Sequence, residues 1–203
     1  MEVITTQSRL RELYRMPSHR VTDKATDRID DIIRRFISSS PFLLLSTRNR
    51  RGGMDISPKG DPPGFVAVLD DKTLAIPDRP GNNRVDTLEN LLLNPEIGLL
   101  FLIPGNGDTL RILGSAQLIR DDALQERLSV QGKPATLAIV VSVTSVFMHC
   151  PKCVIRSKLW QPDQWPDRSS VPTLAEQLVT HGHLSDTVPE MQAIIEASNK
   201  RLY

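Results

Sequence analysis

The segment Asp78-Arg79-Pro80-Gly81-Asn82-Asn83-Arg84 concentrates side chains suited to an anion. Arg79 and Arg84 each carry a planar guanidinium fork that matches phosphate oxygens. Asn82 and Asn83 add amide donors, and Gly81 gives the backbone freedom to turn. A helical apolar pattern follows, so the segment falls at a helix start, where backbone N–H groups favour negative charge. A phosphate cradle is one reading; a capped helix with solvated arginines is the other. Ser57-Pro58-Lys59-Gly60-Asp61 sets a hydroxyl and an ammonium at a strand end, either sharing that anion or forming a solvated turn. Thr109 and Arg111 open another strand and, two residues apart, share one face. That face either meets a ligand or keeps an edge strand soluble.

A second group gathers near residue 150. His149-Cys150-Pro151-Lys152-Cys153 contains a Cys-x-x-Cys spacing, used in redox and metal sites. A structural zinc needs four ligands, and the chain has only two cysteines and no thioredoxin-like βαβ setting. The expectation is two buried, reduced thiols at a strand-to-helix corner and no metal. Lys152, Arg156, Ser157 and Lys158 make this corner basic, and Trp160 and Trp165, the only tryptophans, follow. An indole beside cations suits a planar anionic ligand or plugs the core under the last loop. No Walker loop, nucleophile elbow or zincin helix occurs, and Gly105-x-Gly107 lacks the third glycine of a dinucleotide fingerprint.

The elements that must hold these residues follow from periodicity. Ile29, Ile32, Ile33, Phe36 and Ile37 mark a helix over about 23–38, capped by Thr22 or Asp23 and ended by Pro41. Strands are expected at 42–47, 54–57, 65–69, 73–76, 97–103, 110–119 and 136–148, with Pro58 breaking the second. Helices are expected at 83–93, 121–130 (capped by Asp121) and 153–159, then after Pro172 and Pro189. Strands in antiparallel order with one inserted helix predict an α+β fold built on a six-stranded, closed or nearly closed antiparallel barrel, not a doubly wound sheet. We expect an N-terminal helical segment over 1–40, the barrel over 41–150 and a helical and loop segment over 151–203.

Composition bounds the rest. Area scaling for 203 residues gives about 9,500 Å² exposed when folded, enough burial for a core without disulfide staples. Lys plus Arg is 25 against 24 for Asp plus Glu, which argues against a nucleic-acid binder. No apolar run approaches the ~20 residues of a membrane span, and no secretory start is visible, so the cytoplasm is the expected compartment.

Taken together, Met54-Asp55-Ile56-Ser57-Pro58-Lys59-Gly60-Asp61-Pro62-Pro63-Gly64-Phe65, Ile76 to Arg84, and Asn94-Pro95 ahead of Gly98 to Phe101 resemble the pyridoxamine 5′-phosphate oxidase-related proteins. More narrowly they are similar to its flavin-nucleotide-binding branch, as is Phe147-x-His149-Cys150 through Arg156-Ser157-x-Leu159-Trp160. The resemblance covers about residues 40–166. It implies an FMN-binding split β-barrel and a homodimer with FMN at the interface. It assigns the flavin phosphate to Asn82, Asn83 and Arg84, with Ser57 and Lys59 from the earlier strand. It sets Ile76 and Pro77 beside the isoalloxazine and brings Arg156, Ser157 and Trp160 from the partner chain, with Thr109 and Arg111 also at the site. Arg79 and Lys152 add positive charge. The implied activity is that of an FMN-dependent oxidoreductase on a small molecule. The alternatives are a non-catalytic flavin or haem-binding module and a deazaflavin-dependent reductase. The oxidase family's Arg-x-x-Leu-Leu-Lys strand signature is replaced here by Asp55-Ile56-Ser57-Pro58-Lys59.

Overall fold

Alternating apolar residues build seven strands in the computed structural model, which describes residues 1–203. They are β1 (Phe42–Arg48), β2 (Met54–Gly60), β3 (Ala67–Val68), β4 (Thr73–Pro77), β5 (Glu96–Leu102), β6 (Thr109–Ile119) and β7 (Ala138–His149). All join one antiparallel sheet in the order β2-β1-β5-β6-β7-β4-β3. The expected six strands become seven because Ala67–Val68 pairs with β4 over only two residues. Pro58 does not break β2. It lies opposite Leu44 on a strand at the sheet edge, where a missing N–H leaves no ladder bond unmade.

The sheet curls until its two sides meet. In a flat sheet β2 and β4 would stand five strand spacings apart, about 24 Å. Yet Lys59 Nζ on β2 lies 3.8 Å from Asp78 Oδ1, just past β4. Arg79 Nε lies 2.7 Å from Asp61 Oδ2. Closure is staggered: the register from Lys59 runs through Leu43, Phe101 and Leu110 to Met148, whereas Asp78 bonds at Leu137, about eleven residues along β7. Such a shear accompanies strand tilt in a barrel. A bulge between Leu113 and Gly114 helps β6 to bend.

Inward positions form one core. Leu43, Leu45, Leu74, Ile76, Leu99, Phe101, Leu110, Ile112, Ile139 and Val141 are fully or almost fully buried. The same core takes Ile33, Phe36 and Ile37 from α3 (Asp31–Ser39). That helix starts later than the periodicity indicates. Thr26 exchanges both backbone bonds with Val146, at 2.9 and 2.7 Å, so its N–H and C=O serve β7 instead of a helix. The Asp30 carboxylate then caps α3 by accepting from Ile33 N at 2.9 Å.

The remaining helices are peripheral. Neither α1 (Gln7–Leu13) nor α2 (His19–Thr22) buries a residue. α4 (Asp86–Leu93) lies between β4 and β5, and α5 (Asp122–Arg127), capped by Asp121 as expected, between β6 and β7. α6 (Lys152–Ser157) follows β7. α7 (Leu174–Gly182) and α8 (Val188–Asn199) pack on each other, each opened by a Thr–Glu capping box. No helix is long and apolar enough to cross a membrane. The chain exposes 14,030 Å², about half as much again as the ~9,500 Å² of a compact monomer of this mass.

Candidate functional site

Barrel closure brings two distant stretches together. At the open edge of the sheet, β2 alternates: Met54, Ile56, Pro58 and Gly60 are exposed, while Asp55, Ser57 and Lys59 turn toward the interior side. Across the seam the chain leaves β4 and runs through Asp78–Val85 into α4. Between them lies a cavity of about 680 Å³, lined by Ser57, Lys59, Arg79, Asn82, Asn83 and Arg84 among others. Six of the residues singled out from the sequence thus share one concavity.

The turn into α4 is unusual. Asn83 and Val85 both adopt the left-handed conformation, φ 59° and 51°. For β-branched Val85 this is a genuine outlier. The strain aims the start of α4 at the cavity: Val85 gives no side-chain cap, and the N–H groups of Asp86 and Thr87 find no acceptor in the chain. Asn82 Oδ1 accepts from Arg84 N at 3.1 Å, which leaves its amide N–H₂ free to donate. One turn into α4, buried Asn90 donates to Thr47 Oγ1 at 3.0 Å and to Asp55 at 3.4 Å, locking α4 onto β1 and β2.

The charges around the cavity are already paired. Lys59 faces Asp78, and the exposed Arg84 holds Asp86 at 2.7 Å. Burial pushes the Asp78 carboxyl above its ordinary range, against the pull of Lys59 and Arg79. Arg79 has a different setting from the rest. It is largely buried, bonds Asp61, and donates from Nη2 to Leu128 O at 2.6 Å. Tyr203 donates its hydroxyl to Asp61 and lies over the guanidinium. Arg79 is therefore a staple across the barrel seam, with its fork engaged. Ile76 is fully buried in the core, so only its backbone is near this region; Pro77 borders an adjoining pocket with Ser57 and Lys59.

The other residues singled out lie elsewhere in the chain. Thr109 pairs with His149 and Arg111 with Phe147, at the end of β7 opposite the Pro77–Ala138 pair. Eleven residues of strand separate the two ends, roughly 36 Å. The Arg111 guanidinium stacks 4.0 Å from the Phe147 ring centroid. Trp160 Nε1 donates to Asn106 O at 2.7 Å, fixing α6 against the β5–β6 turn. Ser157 Oγ donates back to Val154 O, and Lys152 and Arg156 are exposed. Cys150 and Cys153 are exposed free thiols, not buried as expected, because they flank the first turn of α6 on its solvent side. Val85 and Thr87 line the cavity without having been marked by motif, and Asp55, quoted within the β2 motif, lines it without having been given a role. Phe147 is legible as a neighbour of Arg111 only once the β6–β7 register is known.

The fold and this seam define a class. The pyridoxamine 5′-phosphate oxidase family model matches residues 29–150, and the chain belongs to that family. A HupZ variant of Group A Streptococcus superposes with a TM-score of 0.50 at 18% identity, covering 60% of this chain and 99% of its own. A candidate pyridoxamine 5′-phosphate oxidase of Lactobacillus delbrueckii gives 0.48 at 19% identity, covering 60% and 95%. The haem storage protein HutZ of Vibrio cholerae gives 0.39 at 13% identity, covering 61% and 94%. A comparison with curated proteins finds no match.

Proposed function

We propose that this protein is an FMN-binding flavoprotein, an oxidoreductase acting on a small molecule, and a cytoplasmic homodimer with FMN at the interface. The observation that carries the reading is the cavity itself. Ser57, Lys59, Asn82, Asn83 and Arg84 converge there with two free N–H groups at the start of α4. That donor set matches a phosphate monoester. Arg84, now paired with Asp86, and Lys59, now paired with Asp78, would hold the phosphate. Ser57 Oγ and the amides of Asn82 and Asn83 would complete its donor set. Asn90 and Thr47 hold α4 in place.

Bound FMN supplies the electron-accepting centre. The chain's own part is to orient it and exclude water. Backbone at Ile76 and Pro77 borders the place for the ring. In the homodimer, Thr109, Arg111, Lys152, Arg156, Ser157 and Trp160 of one copy complete the cavity of the other. Two features support this. Within one chain these residues lie at the far end of β7 from the cavity. The outward face of β2, β1, β5 and β6 is apolar around Arg111, with Ile56, Phe42, Leu44, Leu100 and Leu113, where a solvated face would alternate to polar residues.

The test is the visible absorption spectrum of the purified, desalted protein, with the released cofactor identified by mass. Flavin bands and released FMN are expected. A deazaflavin mass would move the protein to the deazaflavin-dependent reductases, and a haem spectrum to the haem-binding modules. A colourless protein that takes up no added FMN would refute the reading.

A further inference from the structure

One cluster of basic side chains away from the cavity has no counter-ion. Arg111 projects from the outward face of β6 and stacks on Phe147, and its Nε is buried without a hydrogen-bond partner. Lys24 approaches the same ring, 5.4 Å from its centroid, and donates from Nζ to Met148 O at 2.6 Å. The His149 ring lies 4.9 Å from Phe147, tilted by 58°. No carboxylate comes within ion-pair distance of Arg111, Lys24 or His149, although nine such pairs form elsewhere. The cluster therefore holds two fixed positive charges and an imidazole against one apolar ring. Burial and both cations keep His149 below the ordinary imidazole range. A half-satisfied group of buried donors is costly to leave unmade.

We infer that Lys24, Arg111 and His149 form a binding site for a small carboxylate or phosphate group beside the Phe147 ring. Arg111 provides a planar fork whose Nε–H is still free. Lys24 uses one proton on Met148 O and keeps two. Neutral His149 adds one N–H donor and gains a proton as the anion's charge offsets the two cations. Phe147 restricts the approach and favours a flat group. The inference rests on the proposed homodimer in one respect, that Arg111 there also borders the partner copy's cavity; the anion response is read on protein without FMN, so its failure is distinct from a failure to bind flavin.

The experiment follows the imidazole resonances of the full chain by NMR while benzoate or inorganic phosphate is added. The four histidines, His19, His149, His181 and His183, give separable reporters. Wild-type protein is expected to show a saturable shift at His149 with a raised pKa. Saturation by benzoate alone identifies a carboxylate site, and by phosphate alone a phosphate site. Arg111→Met is expected to weaken the response at least about tenfold, a charged hydrogen bond's worth, while Arg35→Met, an exposed arginine on α3, leaves it unchanged. If circular dichroism shows Arg111→Met to be unfolded, the exposed Lys24→Met takes its place, again with a weaker response expected. No saturable shift in wild type, or an undiminished one in the substituted chain, overturns the site.

Discussion

Arg79→Met separates two roles for this arginine: a ligand for phosphate, or a staple in the barrel seam. Asp61 has 1% of its side-chain surface exposed and Arg79 14%, at 2.7 Å. Removing the guanidinium leaves a buried carboxylate with the Tyr203 hydroxyl as its side-chain donor. Breaking a buried pair from one side costs about 3–5 kcal/mol, because the remaining charge keeps its desolvation penalty. At this chain length each kcal/mol lowers Tm by about 2–4 °C, so a fall of about 10 °C is expected. By contrast Lys59→Met, which breaks the longer and more exposed Asp78 pair, should cost no more than about 1 kcal/mol. The double variant Arg79→Met/Asp61→Leu should recover much of the loss, since an apolar pair removes both charges together. Urea and thermal unfolding of the cofactor-free protein read these three variants against wild type. An Arg79→Met protein within about 1 kcal/mol of wild type would refute the staple.

Gly114→Ala should cost about 3 kcal/mol in urea unfolding, because a Cβ at the bulge would press on the Ser142 carbonyl oxygen and Val141 Cγ1. Val85→Gly should raise stability by about 0.5–1 kcal/mol, the relief of a left-handed β-branched residue less the added chain entropy of glycine. Acidification should destabilise the protein through His149. Its folded-state pKa is lowered, so below about pH 6.5 the unfolded chain takes up a proton that the folded chain resists. Stability present above that pH is lost as pH falls, and His149→Gln should flatten the loss in a pH series of melts.

Local patterns made most of the fold legible. Alternation marked the strands, Asp121 capped its helix, and Pro172 and Pro189 announced the last two. Local pattern failed where tertiary pairing prevailed. Residues 26–29 fall inside the helix expected from the periodicity that begins at Ile29, yet Thr26 bonds to Val146 and Ile29 N to Asp71 O. Pro58 reads as a breaker, but position at a sheet edge removes the reason for breaking. The cavity was half visible: the Asp78–Arg84 run and Ser57–Lys59 are both polar segments at strand ends. Their meeting depends on the stagger of the barrel, which no spacing encodes. Arg79 and Arg84 look alike in sequence and differ only in burial, the one fixed by Asp61 and the other solvated beside Asp86.

In the proposed flavoprotein, two copies of this chain together hold two molecules of FMN. Native mass spectrometry of the protein loaded with FMN tests it most directly. A dimer carrying two FMN is expected, with Arg84→Glu yielding a dimer that has lost the cofactor. A monomer that retains FMN, or a dimer that never acquires it, would refute a flavin site shared between two copies.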